Sequence, residues 1–208
     1  MGQYYRAATY DKNNKKLDLF NPTVYETGSK LLEHSYFGNW LTTAVLLDIL
    51  NEPRVVSWIG DYTEEGDPAW HLYPLVWGWD DDEDDKPAVR HFDETDSKPT
   101  DVDEVLDFLK KNDTNKGYLV NIDELEYVDI EKYYRIARKK SGGDDLIIHP
   151  LPLLTATSCG CSGGDYHEGM LNYDRVGTWA ETEISYQFVK PENKDYTDIT
   201  EECIFIET

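Results

Sequence analysis

Thiol, carboxylate and imidazole side chains crowd into one stretch of the chain, residues 149–167. His149-Pro150 opens an apolar run there, and Cys159, Cys161, Asp165 and His167 follow among Gly160, Gly163 and Gly164. Two chemistries suit these residue types. Thiolate, imidazole and carboxylate are all zinc ligands, but structural zinc spaces its cysteines by roughly two to four residues and recruits a second pair. Here a single residue separates Cys159 from Cys161 and only Cys203 is left to join them, so the spacing argues against a metal, and no cofactor is expected. The second chemistry is anion binding. Ser162, Gly163 and Gly164 offer backbone N–H groups for a nest, with Asp165 and Tyr166 beside them, as a nucleotide-like ligand or a hydrolase acting on one would need. The Gly-Lys-Ser/Thr ending of a phosphate loop is missing, so a wide turn between strands accounts for the same residues.

The catalytic candidates are His34 (beside Glu33), Asp61, His149, Asp165 and His167, which stand at or next to segment ends, where active sites often assemble. An imidazole near a carboxylate can serve as a general base. Each also has a plain structural reading: His149-Pro150 as a turn device, His34 as the end of a helix. Only convergence in space separates the two readings. No nucleophile elbow, Walker lysine or paired-histidine helix motif is present.

A third set is physical rather than reactive. The formal net charge is −22, and the sixteen acidic residues between Asp61 and Glu104 face only Lys86, Arg90 and Lys98, a local balance of −13. Within that section Trp70, Trp77 and Trp79 precede Asp80, Asp81, Asp82, Glu83, Asp84 and Asp85. Aromatic anchors beside a dense carboxylate run suit an interface for a basic partner. The same acids would also serve to solvate a loop.

These groups need elements to position them. Residues 3–10 and 17–20 flank a polar turn and read as a hairpin, and residues 117–121 and 126–130 read as a second. Asn39 caps a helix whose apolar residues cover nearly the whole circumference, so residues 39–51 are expected to be buried, with Pro53 closing the segment. Residues 54–62 read as a central strand. Val102, Val105, Leu106 and Leu109 have the spacing of one buried helical face, and Lys110 and Lys111 suit its C-terminus, giving an amphipathic helix over 101–111. A short helix over 130–140 follows. Residues 146–148 and 151–157 read as extended, residues 175–189 alternate with a period of two, and residues 197–206 read as a turn and an edge strand. The sum is one α+β domain over 1–208, a mostly antiparallel sheet built from hairpins, with an acidic, exposed insertion at about 63–100.

Several blocks are similar to those of a family of bacterial and phage proteins. They are the Met1-Gly2-Gln3-Tyr4-Tyr5 start, residues 30–39, Trp58-Ile59-Gly60-Asp61-Tyr62, residues 118–121 and 126–129, residues 149–156, and Gly163-Gly164-Asp165-Tyr166. The resemblance covers most of the chain and implies neither an activity nor catalytic residues. Where that family tends to carry a polar residue and an arginine, this chain has Cys159 and Cys161, which weakens both a metal role for the thiols and an anion site that the arginine would serve.

Composition narrows the function. The negative charge repels nucleic-acid phosphates and anionic lipid, so direct nucleic-acid or membrane-surface binding is not expected. No apolar run approaches the roughly 20 residues of a membrane span. The N-terminus lacks signal-peptide order, and Arg6 fills the position where a myristoylation signal needs Ser or Thr. Three cysteines make a poor disulfide framework, which fits a reducing cytoplasm, the host's if the chain is phage-encoded. The expected role is a small acidic cytosolic binding protein that occupies a basic host or defence protein, in the manner of an inhibitor or nucleic-acid mimic. The alternative is ligand binding or hydrolysis at residues 158–167.

Overall fold

Residues of high strand propensity pair first with their sequence neighbours. In the computed structural model, which describes residues 3–77, 100–143, 146–157 and 166–206, β1 (Tyr5–Asp11) turns back through Lys15, at positive φ, into β2 (Lys16–Phe20). The expected central strand is β3 (Arg54–Gly60), buried at every residue after Arg54. It runs antiparallel to β1 from Tyr5 opposite Gly60 to Tyr10 opposite Val55. The second hairpin is β4 (Tyr118–Asn121) and β5 (Glu126–Asp129). It joins the first through β6 (Thr182–Gln187), which pairs with β3 on one edge and β4 on the other. A two-residue strand, β7 (Thr197–Asp198), adds to β5 in parallel. The result is one seven-stranded sheet, β2-β1-β3-β6-β4-β5-β7, antiparallel in every pairing but the last. The fold class is α+β, as the hairpin pattern implied.

Six α-helices and short 3₁₀ turns accompany the sheet among the described residues. A short α1 (Leu31–His34) leads to α2 (Trp40–Asp48), whose first free N–H groups, those of Leu41 and Thr42, are accepted by the Asn39 side-chain oxygen. Leu41, Ala44, Val45 and Leu46 are at most 1 % exposed, so the helix is buried as its all-round apolar character demanded. Helices α4 (Val102–Lys111, capped by Asp101) and α5 (Ile130–Lys140, capped by Asp129) follow the expected boundaries within a residue. Phe108 joins Val105 on the buried face of α4. The main core gathers Phe20, Leu41, Val56, Trp58, Leu119, Val128, Tyr133 and Trp179. A smaller core on the other side of β1 and β3 joins Ala8 and Ile59 to Leu72 and Val76, which lie on a 3₁₀ turn (Trp70–Leu72) and α3 (Tyr73–Trp77). The first part of the expected exposed insertion is therefore a covering layer of the sheet, while residues 78–99 lie outside the described residues.

Three local expectations are corrected. Residues 151–157 do not run extended: Pro150 occupies the first helical position of α6 (Pro150–Leu154), His149 caps it, and the chain then touches Trp58 through a single bridge at Ala156. A short apolar run carries no period of its own, so strand and buried helix look alike in it. Residues 146–148 contribute one bridge, Tyr36 to Ile148, rather than a strand. The alternation over 175–189 becomes a strand only from Thr182, because Gly177 (φ +75°) and Glu181 (φ +63°) turn the backbone before it. At Gly177 an added Cβ would stand 2.6 Å from the Ala156 carbonyl oxygen, so the close approach of these two segments requires glycine.

The cap of α2 can be tested. Asn39 also donates from its side-chain nitrogen to the Thr27 hydroxyl at 3.0 Å. Asn39→Ala should lower unfolding free energy by about 1–2 kcal/mol in urea denaturation, and Asn39→Asp, which keeps the acceptor, should restore most of it.

Candidate functional site

Helix ends place two of the candidate imidazoles in the core. His34, the last residue of α1, is fully buried; its Nδ1 lies 3.0 Å from the Gly28 carbonyl oxygen, and its Nε2 accepts from the Trp58 indole N–H at 3.1 Å. These two bonds fix the neutral ring with the proton on Nδ1. Desolvation lowers its pKa to about 4, against the opposing Gly28 hydrogen bond and the Glu33 charge. His149, 1 % exposed, uses Nδ1 to accept from the Leu151 N–H at 3.2 Å, the capping role that an asparagine or serine more often fills. Its proton therefore sits on Nε2, which has no hydrogen-bond partner among the described residues, and the imidazole packs on the Phe37 ring, 4.6 Å between centroids. Burial alone pushes its pKa down to about 3. Both rings hold elements together.

The remaining candidates lie elsewhere. Asp61 follows β3 directly, donating its backbone N–H to the Tyr4 carbonyl at 2.9 Å and accepting the Tyr4 N–H on its side chain at 3.0 Å. His167 is exposed, with Nδ1 3.0 Å from the Glu168 carbonyl oxygen. Tyr166 is core: its hydroxyl donates to the Leu171 carbonyl and accepts the Ile206 N–H, and its ring packs on Phe205. Cys159, Cys161, Ser162, Gly163, Gly164 and Asp165 lie outside the described residues. None of His34, Asp61, His149 and His167 lines any of the cavities described below.

Where β3 ends, several segments meet. The Thr157 hydroxyl accepts from the Gly60 N–H and lies 2.8 Å from that of Thr63, both side chains buried. Beside them Thr157, Asp174 and Pro68 line a surface hollow of about 350 Å³. Nearby, His71 Nδ1 stands 3.0 Å from Glu181 Oε1. The hydrogen bond from His71 holds the Glu181 carboxyl below its usual range despite partial burial. Glu181 and Ala69 both adopt positive φ, a conformation non-glycine residues seldom take. Nothing in the local sequence pairs His71 with Glu181, since one sits in an acidic segment and the other in an alternating one.

Of the expected interface, Trp70 and Trp77 are half-buried. Trp70 stacks on Tyr73, while Trp77 donates to the Ile59 carbonyl at 3.2 Å and carries the Arg6 guanidinium 4.4 Å above its ring. Trp79, Asp80, Asp81, Asp82, Glu83, Asp84 and Asp85 lie outside the described residues.

The largest of these cavities, about 620 Å³, is a groove between the end of α2 and the flank of α4. Leu47, Leu50 and Phe108 give it an apolar floor, and Asp48, Glu52, Glu104 and Asp107 line it together with Arg54 and Lys111. Its inner end is a buried ionic cluster. Arg54 Nη1 meets Asp18 at 3.0 Å and its Nε faces Asp48 at 3.5 Å; Lys16 reaches Asp18 at 2.9 Å, and the Thr9 hydroxyl donates to Asp48. Desolvation raises the Asp48 pKa, opposed by the Thr9 hydrogen bond and the Arg54 charge.

Among the described residues no group of histidine, cysteine and acidic side chains could hold a metal ion, and no helix is long and apolar enough to cross a membrane. No family model, curated protein or solved structure matches the chain.

The two buried imidazoles set a pH dependence. Their folded pKa values lie below the unfolded value near 6.5, so only the unfolded chain takes up these protons as pH falls from there towards 4 and 3. Stability is thus unaffected by them above pH 6.5 and declines below it, by roughly 1 kcal/mol per pH unit for each ring. Between about pH 6 and 5, above most carboxylate titration, His149→Asn should keep the α6 cap and remove about half of the slope in urea denaturation. An unchanged slope would contradict the assignment of His149 as a neutral, buried cap.

Proposed function

We propose that the protein acts by binding, in the cytoplasm of a bacterium or of a phage-infected host, and that it occupies the basic surface of a host or defence protein. The observation that carries this reading is the lopsided charge: a balance of −13 between Asp61 and Glu104, within a chain of net charge −22. A surface of that sign attracts a basic partner over a Debye length and excludes phosphate-bearing ligands. Of the aromatic residues in the section, Trp77 is anchored on the sheet through Ile59 and Trp70 is stacked on Tyr73, and both supply area next to the acidic run in sequence. The core histidines, both neutral and engaged in packing, supply no reactive centre to compete with this role.

The test uses the full chain and an immobilised lysine- and arginine-rich peptide of defined sequence. Wild type should be retained at about 50 mM salt and released at about 500 mM, where screening shortens the reach of charge to a few ångström. Replacing all six acidic residues from Asp80 to Asp85 with serine should move release to distinctly lower salt. Equal release of both forms would remove the acidic run from the interface.

A further inference from the structure

The groove between α2 and α4 is the one place where the described structure combines shape, apolar surface and unspent negative charge. Its two cations do not neutralise its four carboxylates. Arg54 divides its guanidinium between Asp18, outside the groove lining, at 3.0 Å and Asp48 at 3.5 Å, and among the described residues Lys111 is paired only with Asp107 of its own helix at 3.9 Å. Glu52 and Glu104 make no ion pair with any described residue. Asp48 has one oxygen held by Thr9 and Arg54, and the other bonds to no described residue.

We propose that this groove takes an arginine-bearing amphipathic segment of a partner protein, with the guanidinium on Asp48 and leucine-like side chains on Leu47, Leu50 and Phe108. This rests on the binding function proposed above and gives it a place and a recognition chemistry. Arginine suits the site better than lysine: its planar fork meets a carboxylate with two parallel hydrogen bonds and is more weakly hydrated, so it enters a half-buried site at lower cost. Apolar anchors beside it would follow the helix-in-groove mode, in which residues three and four apart share a face. An occupant that was basic but not apolar would leave the floor uncovered.

The experiment is an NMR titration of the full chain with a synthetic peptide of about 14 residues carrying arginine and leucine at helical i, i+3 and i+4 spacing, at about 50 mM salt. The methyl signals of Leu47 and Leu50 should shift. The exposed pair Glu52→Gln and Glu104→Gln should weaken binding about tenfold, whereas the charge-matched pair Glu124→Gln and Glu168→Gln, away from the groove, should stay within about twofold of wild type. Replacing the peptide's leucines with serine should abolish the methyl shifts. Equal weakening by both pairs, or binding without methyl shifts, would overturn the groove while leaving a basic partner in place. No binding at low salt would overturn both.

Discussion

A single hydrogen bond in a dry environment organises much of this molecule: the Trp58 indole N–H donating to His34 Nε2. Trp58 is fully buried in β3, and among the described residues its indole N–H donates to His34 alone. A protonated His34 would turn that acceptor into a donor facing a donor, between two fully buried side chains. The ring must therefore stay neutral, which in turn ties α1 to Gly28 through Nδ1 and to the central strand through Nε2. The backbone of the same tryptophan completes the junction. Its N–H donates to Thr155 and its carbonyl accepts from Thr157, so the strand edge that β6 leaves unpaired is closed by the segment following α6.

That closure explains why α6 exists where the sequence suggested a strand. Segment 155–157 can reach Trp58 only if the preceding apolar residues compact, and a five-residue helix that starts on proline does this while burying Leu151, Leu153 and Leu154. His149 caps it with a ring nitrogen, and the cost is an Nε2–H without a partner. The Phe37 ring packs against the imidazole, 4.6 Å between centroids. The two buried imidazoles thus both serve segment ends.

How much of this was legible follows from the range of each interaction. The hairpins, α2, α4 and α5 rest on contacts a few residues apart, on caps such as Asn39 and Asp101, and on faces such as Val102 with Val105 and Leu109, so their sequence signals are local. Residues 150–154 are apolar on every side and gave no period to read. The burial of His34 and His149 depends on Trp58 and Phe37, which are distant in sequence and unmarked by any pattern. The groove was partly visible: Glu104 closed the acidic section, whereas Asp48 and Glu52 read as the end of a buried helix and the loop after it, and Asp107 carried no signal.

Asp48 repays a closer look for that reason. It is the last residue of α2, where the helix dipole presents partial negative charge and favours a cation. The neighbouring α4 obeys the rule, ending in Lys110 and Lys111. At α2 the rule is broken by a largely buried carboxylate, whose desolvation is opposed by the Thr9 hydrogen bond and by the charges of Arg54 and Lys16. Arg54 cannot offset it fully, since the same guanidinium serves Asp18. Local rules broken without a full structural return tend to mark places where something else is recognised. The helix end, the carboxylate and the two unpaired glutamates nearby all bias the groove in the same direction, towards a positively charged occupant, and the leucines beneath them favour one that is also apolar.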